Sequence, residues 1–355
     1  MRHGLFARHV CLIATALLIY AVLLTAATGI IVSFTPAGSV HSEATGINLA
    51  GTVAGNFVDG GGVIHGYLRS SSSTVTVVDE PAAGTQANDG TWIFGINDAG
   101  ETTGSYTCTN SSGNVEPCGF FRDQYGSFTT FVAPNAVRTW GQGINNSGVI
   151  AGGYSPNEGG TIAGFVRDTS GNFTEFEVPN AGNTWVIAIN ASSQVVGYFT
   201  NDSDHGFVRT SSGVIRTFDA PQATHTYAVA INNNGEVVGY HVDSTDSNAV
   251  RHAFYRDSAG NITSFDVPGA GNGDGQGTYA TGINAAGTIA GYYTDSNSVS
   301  HGFVRTSSGT ITSFDDPNAG TQSGQGTYAY YINRMGQIAG SFSGVKGQVR
   351  SFLRK

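Results

Sequence analysis

The triplet Gly-Ile-Asn, or a close variant, occurs seven times in this chain: Gly46-Ile47-Asn48, Gly95-Ile96-Asn97, Gly143-Ile144-Asn145, Ala188-Ile189-Asn190, Ala230-Ile231-Asn232, Gly282-Ile283-Asn284 and Tyr331-Ile332-Asn333. The asparagines stand 42 to 52 residues apart. Such a period is that of a four-stranded unit repeated in an array of about 40–50 residues per copy. Low charge (12%), 51 glycines and 35 Tyr plus Phe suit short strands joined by tight turns rather than helices or disorder.

Residues 278–317 give one unit strand by strand. Strand A is 278–283, followed by the turn Asn284-Ala285-Ala286-Gly287. Asn at the first turn position caps it with its side chain, and Gly at the fourth tolerates positive φ. Strand B runs over 288–293, strand C over 301–305 and strand D over 310–315, with Pro317 ending it because proline cannot donate to a ladder. The last repeat stops after strand C, at 350–354. A D-like stretch at 30–37 precedes the first strand A, so it would complete the last unit and remove an open edge. The expectation is an all-β, seven-bladed β-propeller of four-stranded antiparallel blades, closed by the N-terminal strand and spanning 30–355.

Residues 1–29 read as an export signal. Arg2 and Arg8 precede an apolar run from Val10 to Leu24, then the small residues Thr25-Ala26-Ala27-Thr28-Gly29. An uncleaved anchor is the rival reading, because the apolar stretch extends to Val32. Cleavage near residue 27–29 is preferred, since the run is about 15 residues and a spanning helix wants about 20. The mature chain is then expected to be secreted or at the cell envelope, with no membrane span. Cys11 is lost with the signal, and Cys108 and Cys118 remain as an expected disulfide.

The chain resembles the extracellular HAF-repeat family. The triplet His-Ala-Phe is literal at His252-Ala253-Phe254 and varied at His205, His301 and His65. Asp266 to Ala270 and Gly282 to Asn284 carry the family's Asp-Val-Pro-Gly-Ala and Gly-Ile-Asn phrases. The resemblance implies export and a repeated β architecture. It brings no activity or catalytic residues to transfer.

A residue present in most repeats reads as scaffold, because a catalytic group need occur only once in a ring. Strand C carries an arginine in all seven repeats: Arg69, Arg122, Arg167, Arg209, Arg256, Arg305 and Arg354. They are expected to hold carbonyls or carboxylates, with an anion-binding ring as the alternative. Four repeats start strand C with His, and an Asp follows each by fourteen residues: His65 and Asp79, His205 and Asp219, His252 and Asp266, His301 and Asp315. The other three repeats lack both, holding Cys118, Ala163 or Arg350 instead of His. This pattern predicts a His–Asp pair pinning the C–D hairpin, rather than a catalytic or metal unit. In the second repeat the expected disulfide would staple the B–C loop.

Candidate binding residues lie at the second position of strand A: Glu43, Trp92, Trp140, Trp185, Tyr227, Tyr279 and Tyr328. An arc of Trp and Tyr beside one Glu at the channel mouth could stack sugar rings. The rival is packing between units, since this position has the same strand parity as the core isoleucine. His41, Asp89, Arg138, Gln142, His225 and Asp274 are further polar groups near the same mouth. Acidic loops such as 201–204 and 243–248 lack EF-hand spacing and read as solvated turns.

No nucleophile triad, zinc spacing or phosphate loop stands out, so no cofactor or metal is expected. A formal charge of −9 with only two lysines gives no basic stripe and argues against nucleic acid. The first reading is a monomeric, non-catalytic binding propeller for a glycan or an extracellular protein. The alternatives are a polysaccharide hydrolase or lyase acting around Glu43, and a purely structural surface protein.

Overall fold

The structure, a computed structural model, describes residues 29–109, 115–157, 159–243, 249–345 and 347–355. The expected export signal therefore lies, except for Gly29, outside the described residues. The described residues form 28 strands and no helix, hence no helix long and apolar enough to cross a membrane.

The strands fall into antiparallel meanders of four, named units I to VII here. Units I to VI span 39–78, 91–131, 138–176, 183–218, 223–265 and 277–314. Unit VII contributes three strands within 326–354. Its outer partner is the N-terminal strand Ile31–Phe34, which pairs with Val349–Arg354 in the register Ile31↔Arg354 to Phe34↔Ser351. Tyr67 Oη donates to Ser351 Oγ at 2.8 Å, joining unit I to unit VII in the interior. In unit VI the strands are Gly277–Ile283, Ile289–Thr294, Ser300–Arg305 and Ile311–Phe314, within one residue or so of the sequence reading.

Burial falls outward along each meander. Strand B is covered on both faces by neighbouring units, so Ile150–Ser155 and Ile338–Ser343 are buried at every position. Strand D alternates only weakly and keeps its middle exposed. The aromatic third residue of the His-Gly-Phe triplet, Phe303 in unit VI, is 0% exposed at the core between units. It fits because strand B offers Gly291, where a Cβ would stand 2.7 Å from the Phe303 ring. A glycine also admits the next unit: Gly277, at φ +112°, lies against the Arg251 carbonyl where a Cβ would clash.

The repeated asparagine does more than cap its own turn. Asn284 Oδ1 accepts the amides of Ala286 and Thr288 at 3.0 and 3.1 Å, as a turn cap should. Its Nδ2 donates to the backbone carbonyl of Asn333 in the next unit. The same bond runs from Asn48 to Asn97, to Asn145, to Asn190, to Asn232 and to Asn284. Asn333 donates in turn to Asn48 O, so seven bonds of 2.9 to 3.3 Å form one cycle.

Among the described residues the strand C arginines meet aromatic faces rather than the expected carboxylates. Six lay their guanidinium over a strand D phenylalanine of the preceding unit, as Arg305 over Phe265 at 4.7 Å and Arg69 over Phe34 at 4.6 Å. Arg122 covers Phe128 of its own unit instead, at 6.0 Å; its predecessor has Val78 where the others have Phe. Carbonyl contact survives only locally, as Arg209 Nη1 donating to Thr210 O at 3.2 Å. An aromatic face suits the weakly hydrated guanidinium in this packed junction, where burial pulls the pKa of Arg209 and Arg256 down.

Candidate binding site

Strand A decides which way the candidate aromatics face. Every strand A has a β-bulge between its second and sixth positions, in unit VI between Ala280 and Gly282. One extra residue reverses strand parity. Tyr279, paired with Tyr292, therefore lies on the face opposite Ile283, paired with Ile289. The parity that linked the aromatics with the core isoleucine does not hold across the bulge. The bulged residues, among them Gln142 and Thr281, line a cavity of about 300 Å³ to which the first strands of all seven units contribute.

The residue before each aromatic is a buried threonine that anchors the incoming crossing. Thr278 Oγ1 accepts the Val267 amide at 3.0 Å, and Thr91, Thr139, Thr184, Thr226 and Thr327 do the same for their own crossings. The aromatic that follows is thus fixed at the mouth. Trp92, Trp140, Trp185, Tyr227, Tyr279 and Tyr328 are all half-buried, and Glu43 is exposed.

Four of the seven join one another through tyrosines of strand B. Trp185 stacks on Tyr198 at 6.1 Å, and Tyr198 meets Tyr227 edge-on at 5.1 Å. Tyr227 stacks on Tyr240, which meets Tyr279, which stacks on Tyr292, which meets Tyr328, all within 4.6–5.2 Å. This ladder crosses units IV to VII without a gap. Elsewhere strand B is small or polar at the matching position: Trp92 pairs with Ser105, Trp140 covers Gly153, and Glu43 pairs with Asn56. Tyr198, Tyr240 and Tyr292 were not singled out from the sequence, although a tyrosine eight residues after the turn asparagine in three adjacent repeats marks them.

Two charged groups flank the ladder from equivalent positions just before strand C's histidine. Asp204 Oδ2 accepts from Tyr227 Oη at 2.6 Å and lies 3.3 Å from His225 Nδ1. Burial opposes its ionisation, but the hydroxyls of Tyr227 and Thr200 and the His225 imidazole outweigh this and hold its pKa below the ordinary value. Burial and the Asp204 carboxylate push the Tyr227 phenol well above its usual range, so it stays a donor. Arg251 stands near Tyr240 and Tyr279, where its charge partly offsets the rise that burial causes in both phenols. Of the other polar candidates, Arg138 is taken up by the buried Glu116 at 2.7 Å.

The histidines meet their expected partners. Nδ1 of His65, His205, His252 and His301 lies 2.9, 2.8, 2.9 and 3.0 Å from Asp79, Asp219, Asp266 and Asp315. Three of the rings also stack on a strand B aromatic, as His205 on Phe199 at 5.1 Å. Each pair ties the start of strand C to the end of strand D, at the edge of the unit where the B–C loop lies. Burial works against the His205 imidazolium, but Asp219 and Asp202 together raise its pKa. In unit II the disulfide Cys108–Cys118, with Cα atoms 5.8 Å apart, joins strands B and C. Of the loop 243–248 only Asp243 lies within the described residues.

No protein-family model and no curated protein matches this sequence. Solved structures do. Virginiamycin B lyase from Staphylococcus aureus aligns with a TM-score of 0.56 at 14% identity, over 92% of this chain and 98% of its own. The β-propeller domain of the trilobed protease from Pyrococcus furiosus gives 0.56 at 10% identity, over 89% and 96%. The BP39L lectin from Burkholderia pseudomallei gives 0.51 at 9% identity, over 88% and 98%. At these identities the likeness carries the fold alone, and that fold is the β-propeller.

Proposed function

We propose that this protein is an exported, non-catalytic β-propeller that binds a glycan across the aromatic ladder of units IV to VII. The observation that carries the reading is the ladder itself, half-buried at the mouth and edged by Asp204 and Arg251. Aromatic faces stack the apolar faces of sugar rings, and the charged edges bond to hydroxyls. In this reading the seven units are seven blades of a closed ring, with Ile31–Phe34 as the outer strand of the last. The asparagine cycle and the pairing of that strand support it. Export rests on the sequence of residues 1–29 and accords with the disulfide. The His-Ala-Phe and Gly-Ile-Asn phrasing supports placement in the extracellular HAF-repeat family.

The deciding experiment is a glycan-array screen of the purified chain, with reducing-sugar and unsaturated-product assays on every hit. Binding without turnover, lost in Trp185→Ala and Tyr240→Ala, is the expected result. Turnover abolished by Glu43→Gln would make the protein a polysaccharide hydrolase or lyase. No glycan binding at all would remove the ladder as a sugar site and leave a protein-binding or structural role.

A further inference from the structure

The turn that follows strand A has a fifth residue whose side chain reaches the next unit. In units IV and VII it is Gln194 and Gln337, each accepting the Nδ2 of its turn asparagine at 2.8 Å. Amide oxygens therefore suffice for the scaffold bond. Units II and V place glutamates there, Glu101 and Glu236, whose Oε2 accepts the same bond at 2.6 and 2.5 Å and whose negative charge that bond does not require. The residue before the strand C arginine departs from the repeat in the same two units. It is Phe121 in unit II and Tyr255 in unit V, and Leu or Val in the other five. A carboxylate and an aromatic thus appear together twice and separately nowhere. Scaffold demands common to seven units do not account for a change confined to two.

Both departures line cavities at the junction with the following unit, on the face of the A–B turns. The cavity between units II and III, about 360 Å³, has Glu101, Phe121, Thr129 and Arg167 in its wall. The cavity between units V and VI, about 320 Å³, has Glu236, Tyr255, Thr263 and Arg305 at the corresponding positions. The geometry repeats too: Glu101 Oε2 lies 3.7 Å from where a Cβ on Gly148 would stand, and Glu236 Oε2 lies 3.9 Å from the same point on Gly287. Each cavity offers an aromatic side chain, a carboxylate acceptor and a guanidinium donor from the next unit. With both charges present, a neutral hydroxylated ring can satisfy both walls, whereas an ion is opposed by one of them. The volumes sit at the small end of ligand pockets, fit for one ring.

We infer that the chain carries two equivalent pockets, at the II/III and V/VI junctions, each taking a single sugar-like polyhydroxylated ring, independently of the aromatic ladder. The two differ in one respect. Tyr255 Oη donates to Glu236 Oε1 at 2.6 Å, and this bond raises the phenol's pKa to about 12. In unit V both carboxylate oxygens are engaged, Oε1 by Tyr255 and Oε2 by Asn232 Nδ2, whereas Glu101 gives Oε2 to Asn97 Nδ2 at 2.6 Å and Phe121 has no hydroxyl for Oε1, so the II/III pocket keeps more of its carboxylate for a ligand and binds more tightly.

The test titrates the purified full chain with methyl glycosides of glucose, galactose, mannose, N-acetylglucosamine and fucose, followed by calorimetry and saturation-transfer NMR. The expected result is that one of them binds at two sites per chain. Glu101→Gln and Glu236→Gln should each remove one site with little loss of stability, because glutamine already serves this turn in units IV and VII. Thr129→Trp and Thr263→Trp, at exposed strand positions, should block the pockets without touching the turn. Trp185→Ala should leave both sites intact, which separates this inference from the ladder. Binding to none of the five glycosides, or binding that survives the glutamine and tryptophan variants together, would overturn it.

Discussion

The two ends of the propeller treat the same repeat in opposite ways. On the face of the A–B turns every unit's asparagine donates to the next unit and accepts the amide four residues on, six of the seven also accept the amide two residues on, and the departures are the glutamates at the II/III and V/VI junctions. At the other mouth the equivalent strand position holds Glu, Trp or Tyr, and the ring contacts run through four units only. The difference separates a surface whose task is the same at every junction from one whose task depends on position. Uniformity marks what links neighbouring units; departure marks where the proposed ligand sites lie.

The largest expected effect breaks the uniform face. Asn232→Ala removes two bonds to its own turn, one to Asn284 and one to Glu236, at a cost of about 3 kcal/mol. Chemical denaturation measures this, and glycan affinity at the aromatic ladder under native conditions should stay unchanged. Next, Cys108→Ser with Cys118→Ser opens the covalent staple between strands B and C of unit II. Loop entropy for a separation of 10 residues puts the loss at about 2–3 kcal/mol, read as a fall in denaturation midpoint. If instead the double variant lost binding while keeping its stability, the staple would belong to the site.

A smaller effect sharpens the comparison from the other side. Tyr240→Ala interrupts the ladder between Tyr227 and Tyr279 and should lower glycan affinity about tenfold, or about 1.4 kcal/mol, with less change in stability than Asn232→Ala. The smallest concerns the hairpin pins. The folded pKa of His205 is raised above its ordinary 6.5, so its bond to Asp219 stabilises fully below pH 6.5 and fades as pH rises through the raised value. His205→Gln should therefore cost about 0.5 kcal/mol at pH 5.5 and less at pH 8.5, by paired unfolding curves.

The legibility of this molecule follows from which partners share a repeat. The turn asparagines and the His–Asp pairs were readable because both partners recur at fixed offsets inside one unit, four or fourteen residues apart. The arginine partners were not, since the phenylalanine under Arg305 belongs to the unit before and no offset within a repeat reaches it. The facing of the aromatics was hidden by the bulge. Its extra residue is Thr45 in one unit, Phe94 in another, Gln142 in a third and Tyr330 in the last, so no residue type announces it. The ladder was half legible: strand A showed every other member, Trp185, Tyr227, Tyr279 and Tyr328, and the tyrosines between them needed the register of strand B.

The asparagine cycle has a sense of rotation. Every side chain donates to its successor and none to its predecessor, so the links add head to tail like segments of a belt. A belt of fixed link length closes at one number of segments. Deleting a repeat by recombination would leave one amide and one carbonyl facing each other across a missing segment, and duplicating a repeat would force slack into every link. Point substitutions at the strand A aromatics escape this arithmetic, so in the proposed ring such proteins would change that surface far more readily than their count.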